Sequence, residues 1–166
     1  MVFLSGIKER PLPRPDYLPM KNLFKLFASF LLLVNGICAM YIGWELVLYP
    51  DGSTLQLPLS LLSNSPFQDY LLPGIFLFTT NGLFSFFVLG TMLVWPRNSP
   101  KLIIFQGIVL TISMLAQSLY RGELNFLQLL YLFSGLLLIL SGFVIKRIEE
   151  KEFLRRHIFS RTHSLA

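Results

Sequence analysis

Four apolar runs dominate this chain: Leu23 to Leu48, Leu71 to Trp95, Leu102 to Tyr120 and Phe126 to Ile145. Each is long enough to cross roughly 30 Å of hydrocarbon at about 1.5 Å per residue. A backbone in lipid finds no water to bond, so its N–H and C=O groups must pair within the segment, and each run is expected to be a helix. Composition points the same way: 54% of the 166 residues are hydrophobic and only 14% charged, with a mean hydropathy of +0.62, far from soluble averages. The expected fold is all-α, a polytopic membrane protein whose four transmembrane helices form a bundle over 23–145. A proline-rich basic arm (1–22), a leucine-rich external segment between the first two helices (49–70) and a basic helical tail (146–166) complete it.

Charge sets the expected orientation. Lys8, Arg10, Arg14, Lys21 and Lys25 precede the first run, Arg97 and Lys101 separate the second from the third, and six Lys and Arg residues follow the fourth. Arg121 alone lies in a connection of the opposite parity. That asymmetry predicts cytoplasmic termini and external loops at Asp51 and Arg121. It also accounts for the net charge of +5 as anchoring beside anionic lipid, so no nucleic-acid partner is expected. Trp44, Tyr49, Tyr70, Trp95 and Tyr120 fall at the run ends, where amphipathic rings suit headgroup depth. The first run is too long for a signal-peptide core and lacks a small-x-small cleavage site, so a retained helix is expected.

Several chemistries lack their residues. One cysteine, Cys38, cannot support dithiol exchange, and Ile37 before it argues against lipid attachment there. His157 and His163 both lie in the tail. No apolar run holds a His, Cys or carboxylate set with metal-ligand spacing, and no glycine-rich phosphate loop is present. No metal or other cofactor is expected.

Small residues mark the packing faces. Ser29, Gly36 and Gly43 recur at heptad spacing in the first run, with Ala39 on the same side; Ser134, Gly135, Ser141 and Gly142 repeat the pattern in the fourth. Such residues let backbones approach where lipid supplies no hydrophobic drive to associate. In the third run Gly107, Thr111 and Ser118 form a strip beside Gln106, Ser113 and Gln117, and in the second Asn81 and Ser85 stand one turn apart beside Gly82. Asn35, Asn81, Gln106 and Gln117 fit either hydrogen bonding between helices or the lining of a ligand or ion path. No ionisable group lies at mid-membrane depth; Glu45 comes nearest. Glu45 or Asp69 paired with Arg121 would tie helices together, or, with Asn81 and Gln117, contact a ligand.

The connection YPDGSTLQLPLSLLSN, from Tyr49, is too apolar for a free loop and too broken by Pro58 to span. Its leucines are expected to seal the outer end of the bundle or to cover a ligand there. Next comes SPFQDYLLPG, from Ser65 to Gly74. Ser65, Pro66 and Gln68 read as a capping box that starts a short external helix, with Asp69 in its first turns. Pro73 and Gly74 predict a bend where that helix enters the membrane.

Asp51, Gly52, Pro58, Ser65, Pro66, Phe67, Asp69, Tyr70, Pro73 and Gly74 stand in a D-G-S, L-P, S-P-F, D-Y, P-G order. That order resembles the first external loop and second helix of a family of small, uncharacterised bacterial four-helix integral membrane proteins. The resemblance covers about a fifth of the chain closely and the four-span layout loosely, and it implies a bacterial inner membrane. It carries no catalytic role. The third run departs from the family's pattern, since no tryptophan stands between Ile112 and Gln117.

Prolines in the N-terminal KERPLPRPDYLP favour an extended lead-in. In the tail, Glu152 precedes Arg156 by four, and Ile148, Leu154, Ile158 and Phe159 form an apolar stripe suited to the inner leaflet or a partner. The expected function is that of a non-enzymatic accessory or assembly subunit acting by helix packing, with itself or another membrane protein. The alternative is a carrier or binder of a lipid-like ligand beneath the external segment. A third reading, chemistry on lipid headgroups by the external carboxylates, lacks a nucleophile, histidine or metal set.

Overall fold

The computed structural model describes residues 17–63, 65–121 and 126–163, with the backbone alone at 17, 18, 119–121, 127 and 156–163. The first helix spans Tyr17–Leu48, the third Ser99–Arg121 and the fourth Phe126–His163. The second crosses Leu71–Val94 in three stretches, α-helical over Leu71–Phe76, π-helical over Leu77–Leu83 and α-helical over Phe84–Val94. All four are long and apolar enough to span a membrane. The first begins at residue 17, ahead of the expected 23, and the fourth carries on through the tail without a break.

The small residues of the first helix face the second. Ser29 lies against Met92 (3.7 Å from hydroxyl to sulfur), Gly36 against Ser85 and Phe86, and Gly43 against the backbone of Phe78. The third and fourth helices pair likewise, with Gly107 against Gly135 and Gly142 against Pro100 and Ile104. Two antiparallel hairpins result. They join through the first and fourth helices, and through the Phe84–Val94 stretch of the second helix against the third. Ala28, Leu32, Val88, Ile103, Leu110, Met114, Leu138 and Ile145 fill the shared core.

Two threonines bond back to the start of the π-helical stretch. The hydroxyls of Thr79 and Thr80 both donate to the Phe76 carbonyl, at 3.2 and 2.7 Å, and Thr79 also reaches Ile75 O at 2.8 Å. Side chains that capture backbone acceptors compete with the regular ladder and loosen it. π-helical stretches inside α-helices are frequent at functional sites.

The expected capping box and bend do not form. Residues 66–70 are not helical, and Ser65 instead closes a tight turn: its hydroxyl donates to Leu62 O (2.9 Å) and accepts from the Phe67 N–H (3.3 Å). Gln68 is exposed. The second helix starts at Leu71, and Asp69 Oδ1 accepts the Leu71 N–H at 3.0 Å. Pro73 therefore sits in the first turn, where no carbonyl waits for its missing proton. The first regular bond runs from Gly74 N–H to Tyr70 O, 2.8 Å. Gly74 serves close packing, since a Cβ there would lie 2.7 Å from that of Leu46. The irregularity expected at Pro73 and Gly74 lies instead at Leu77–Leu83.

At the basic end the tail packs against the bundle. Lys21 Nζ lies 2.9 Å from Glu152 Oε2 and 3.4 Å from Glu149 Oε1, and Lys25 Nζ lies 3.2 Å from Glu149 Oε1. Arg97 stacks over the Phe153 ring, 5.4 Å from its centroid. Ile148 is buried and Leu154 exposed, so the stripe is divided between bundle and surroundings; the side chains of Arg156, Ile158 and Phe159 lie outside the described residues.

Candidate functional site: a cavity beneath the lid

The 49–70 connection folds into a lid. Asp51 Oδ1 accepts from the backbone and hydroxyl of Ser53 (3.2 and 2.9 Å), turning the chain at Gly52, whose φ of +74° suits glycine. The Leu57 N–H returns to Gly52 O at 3.0 Å, and a 3₁₀ turn follows at Leu59–Leu62. Tyr70 ties both parts to the start of the second helix: its N–H donates to Pro50 O at 2.8 Å and its hydroxyl to Pro58 O at 3.0 Å. With the backbone turned this way, Leu57, Leu61, Leu62 and Phe67 point beneath it.

Below them lies a cavity of about 590 Å³, within the roughly 300–1,000 Å³ of small-molecule sites. The second helix packs along the first, its lid-proximal residues 71–83 included, whereas the 3₁₀ turn of the lid rests on the third. The space between the second and third helices is thereby left open and roofed. Ile42, Leu46, Leu72, Pro73, Ile75, Phe76, Leu77 and Ala116 form apolar walls, and Thr79, Asn81, Ser113 and Gln117 contribute the polar groups. Asn81 lies ten positions beyond Leu71, roughly 15 Å at helical rise, so the floor is near half the depth of the hydrocarbon.

A polar seam continues behind that floor. Asn81 Nδ2 donates to Ser113 Oγ at 3.4 Å. Ser85 Oγ donates to Asn81 O (2.6 Å) and accepts from Asn35 Nδ2 (3.2 Å) and Gln106 Nε2 (3.1 Å). One hydroxyl thus joins three helices, and its donor and acceptor sites are all used. The amide oxygens of Asn35, Asn81 and Gln106 have no hydrogen-bond partner, though all three side chains are almost completely buried.

Of the five residues expected to contact a ligand, Asn81 and Gln117 line the cavity and Glu45 and Asp69 do not. Asp69 is used at the helix start, Glu45 is half-buried beside the wall residues Ile42 and Leu46, and the Arg121 side chain lies outside the described residues. Among the described residues no acidic or basic group lines the cavity, and no three His, Cys, Asp or Glu side chains gather as metal ligands. The carboxylates therefore do not converge on a pocket. Sequence reasoning found the lid leucines but missed the walls, whose residues look like any lipid-facing surface.

This architecture defines a four-span helical membrane protein with a lidded apolar cavity. No protein-family model, curated protein or solved structure matches the chain.

Proposed function

We propose that the protein binds a lipid-like molecule in the cavity beneath the lid. The observation that carries this is the cavity itself, about 590 Å³, apolar on its walls, with polar groups gathered at one place. A bundle acting only by packing has no reason to keep such a space, because unfilled volume forfeits dispersion contacts. The lid supports the same reading, since leucines held over the space would shield an apolar guest from water. A described lining that is apolar apart from hydroxyl and amide groups favours binding or carriage over chemistry.

The positive-inside pattern supports cytoplasmic termini and an external lid, and the resemblance of 51–74 to bacterial four-helix proteins supports the inner membrane. The ligand would then enter from the outer leaflet.

Native mass spectrometry of the protein, extracted gently with its surrounding membrane, tests the proposal. We expect one discrete small molecule retained by the wild type and lost in Ala116→Phe, which fills the space. No retained molecule, or retention unchanged in the filled variant, would overturn it; co-extraction of one defined protein in its place would favour an accessory subunit.

A further inference from the structure

Resting on the lipid-binding reading above, we infer that the bound molecule carries an uncharged hydroxyl that it donates to Asn81 at the cavity floor: the ligand class is a long apolar alcohol, neither an anion nor a cation. The inference comes from how the polar groups around the cavity spend their protons. Tyr70 donates its hydroxyl proton to Pro58 O, Thr79 to Ile75 O and Ser113 to Val109 O. Asn81 turns its amide nitrogen to Ser113. The hydroxyl donors are therefore committed to backbone carbonyls, while Asn81 Oδ1, on a buried side chain, has no partner.

Buried polar atoms are nearly always satisfied, so an orphan acceptor at the lining of a cavity calls for a donor from the occupant. An anionic headgroup would meet this acceptor with no basic side chain among the described lining residues to compensate its desolvation. An ammonium group could donate, but it would lose its hydration with no carboxylate among the described lining residues. A hydroxyl satisfies the acceptor without bringing a charge to mid-membrane depth. Gln117, half-buried on the third helix and also in the lining, offers an amide to receive or donate the second bond of such a group.

The test compares tritiated 1-hexadecanol, 1-methoxyhexadecane and hexadecanoate by scintillation proximity on the full chain in phosphatidylcholine nanodiscs. For the wild type we expect the alcohol to bind about tenfold tighter than its methyl ether, as loss of one buried hydrogen bond implies, and hexadecanoate to bind more weakly than the alcohol. Asn81→Leu should abolish the preference of alcohol over ether while keeping ether binding. Should that variant fail to fold, the comparison of probes on wild type still decides. Equal binding of alcohol and ether, or tighter hexadecanoate, lost in either case in Ala116→Phe, would overturn the hydroxyl inference and leave the cavity as a lipid site. Binding of no probe above empty nanodiscs, with none sensitive to Ala116→Phe, would overturn both.

Discussion

Gly107 and Gly135 meet backbone to backbone: a Cβ at position 107 would lie 2.7 Å from the Gly135 carbonyl oxygen, and one at 135 would lie 3.1 Å from that of Gly107. No side chain can move aside to relieve such a contact. Gly107→Val should therefore separate the third and fourth helices and cost about 1–3 kcal/mol, as overpacking does. Gly90, which has nothing within 4 Å of a built Cβ, provides the contrast, and Gly90→Ala should leave stability unchanged or slightly raised. Thermal unfolding of both variants in one detergent checks the pair.

Asn35 and Gln106 both spend an amide proton on the Ser85 hydroxyl. Ser85→Ala would strand two donors inside the bundle. Interhelical bonds in membranes are individually weak, but orphaned buried donors cost more than the bonds are worth, so we expect about 2 kcal/mol of destabilisation. Ser85→Thr, which keeps the hydroxyl, should retain part of it. Unfolding curves in mixed micelles measure the difference.

The first and fourth helices are clamped at the basic end by Lys21 between Glu149 and Glu152, with side chains 14%, 20% and 16% exposed. Lys21→Met should cost about 1 kcal/mol, discounted from a fully buried pair for solvent screening. The charge-swapped double variant Lys21→Glu with Glu152→Lys should recover stability relative to either single change. A double-mutant cycle in low salt, repeated in 1 M salt, where about 3 Å screening lengths weaken exposed charges, reads the coupling.

Two positive backbone angles hold the lid, at Gly52 (φ +74°) and Gln56 (φ +52°). Gly52→Ala adds a Cβ that would collide with the Leu57 carbonyl oxygen at an angle that alanine disfavours, and should open the lid. Gln56→Gly should relieve strain of about 1 kcal/mol. Tyr70→Phe removes the bond to Pro58 O and should loosen Leu59–Leu62. Hydrogen–deuterium exchange over 53–63 reports all three, faster in Gly52→Ala and Tyr70→Phe and slower in Gln56→Gly.

With Cys38 replaced by serine, single cysteines at Ser53 and Asn98, both exposed, should label from opposite sides of intact cells. Ser53 is expected to react from outside and Asn98 only after permeabilisation; the reverse would invert the proposed topology.

The spans and their packing residues were legible because both follow from near-neighbour chemistry. Hydrophobic length sets where a helix crosses, and small residues at heptad spacing mark a face that another backbone can approach. The start of the second helix was misread for a related reason. Ser65, Pro66 and Gln68 satisfy the pattern of a cap, yet Tyr70 binds Pro50 and Pro58 across the lid, and those distant contacts hold 66–70 out of a helix. Thr79 and Thr80 gave little warning of a π-helical stretch, since threonines in regular helices make similar bonds to the preceding turn.

The residue order alone determined that this chain is a four-span helical membrane protein, which side of it is basic, and which helix faces are narrow. Only the tertiary structure decided which helices pair, that one serine joins three of them, and that a lidded cavity separates the second from the third. The reason lies in the solvent: in lipid every apolar face is equally well accommodated, so hydropathy sets depth but not neighbours. Neighbours and voids are chosen by backbone approach and by the few polar groups that must find partners, and both become definite only when all four helices are in place.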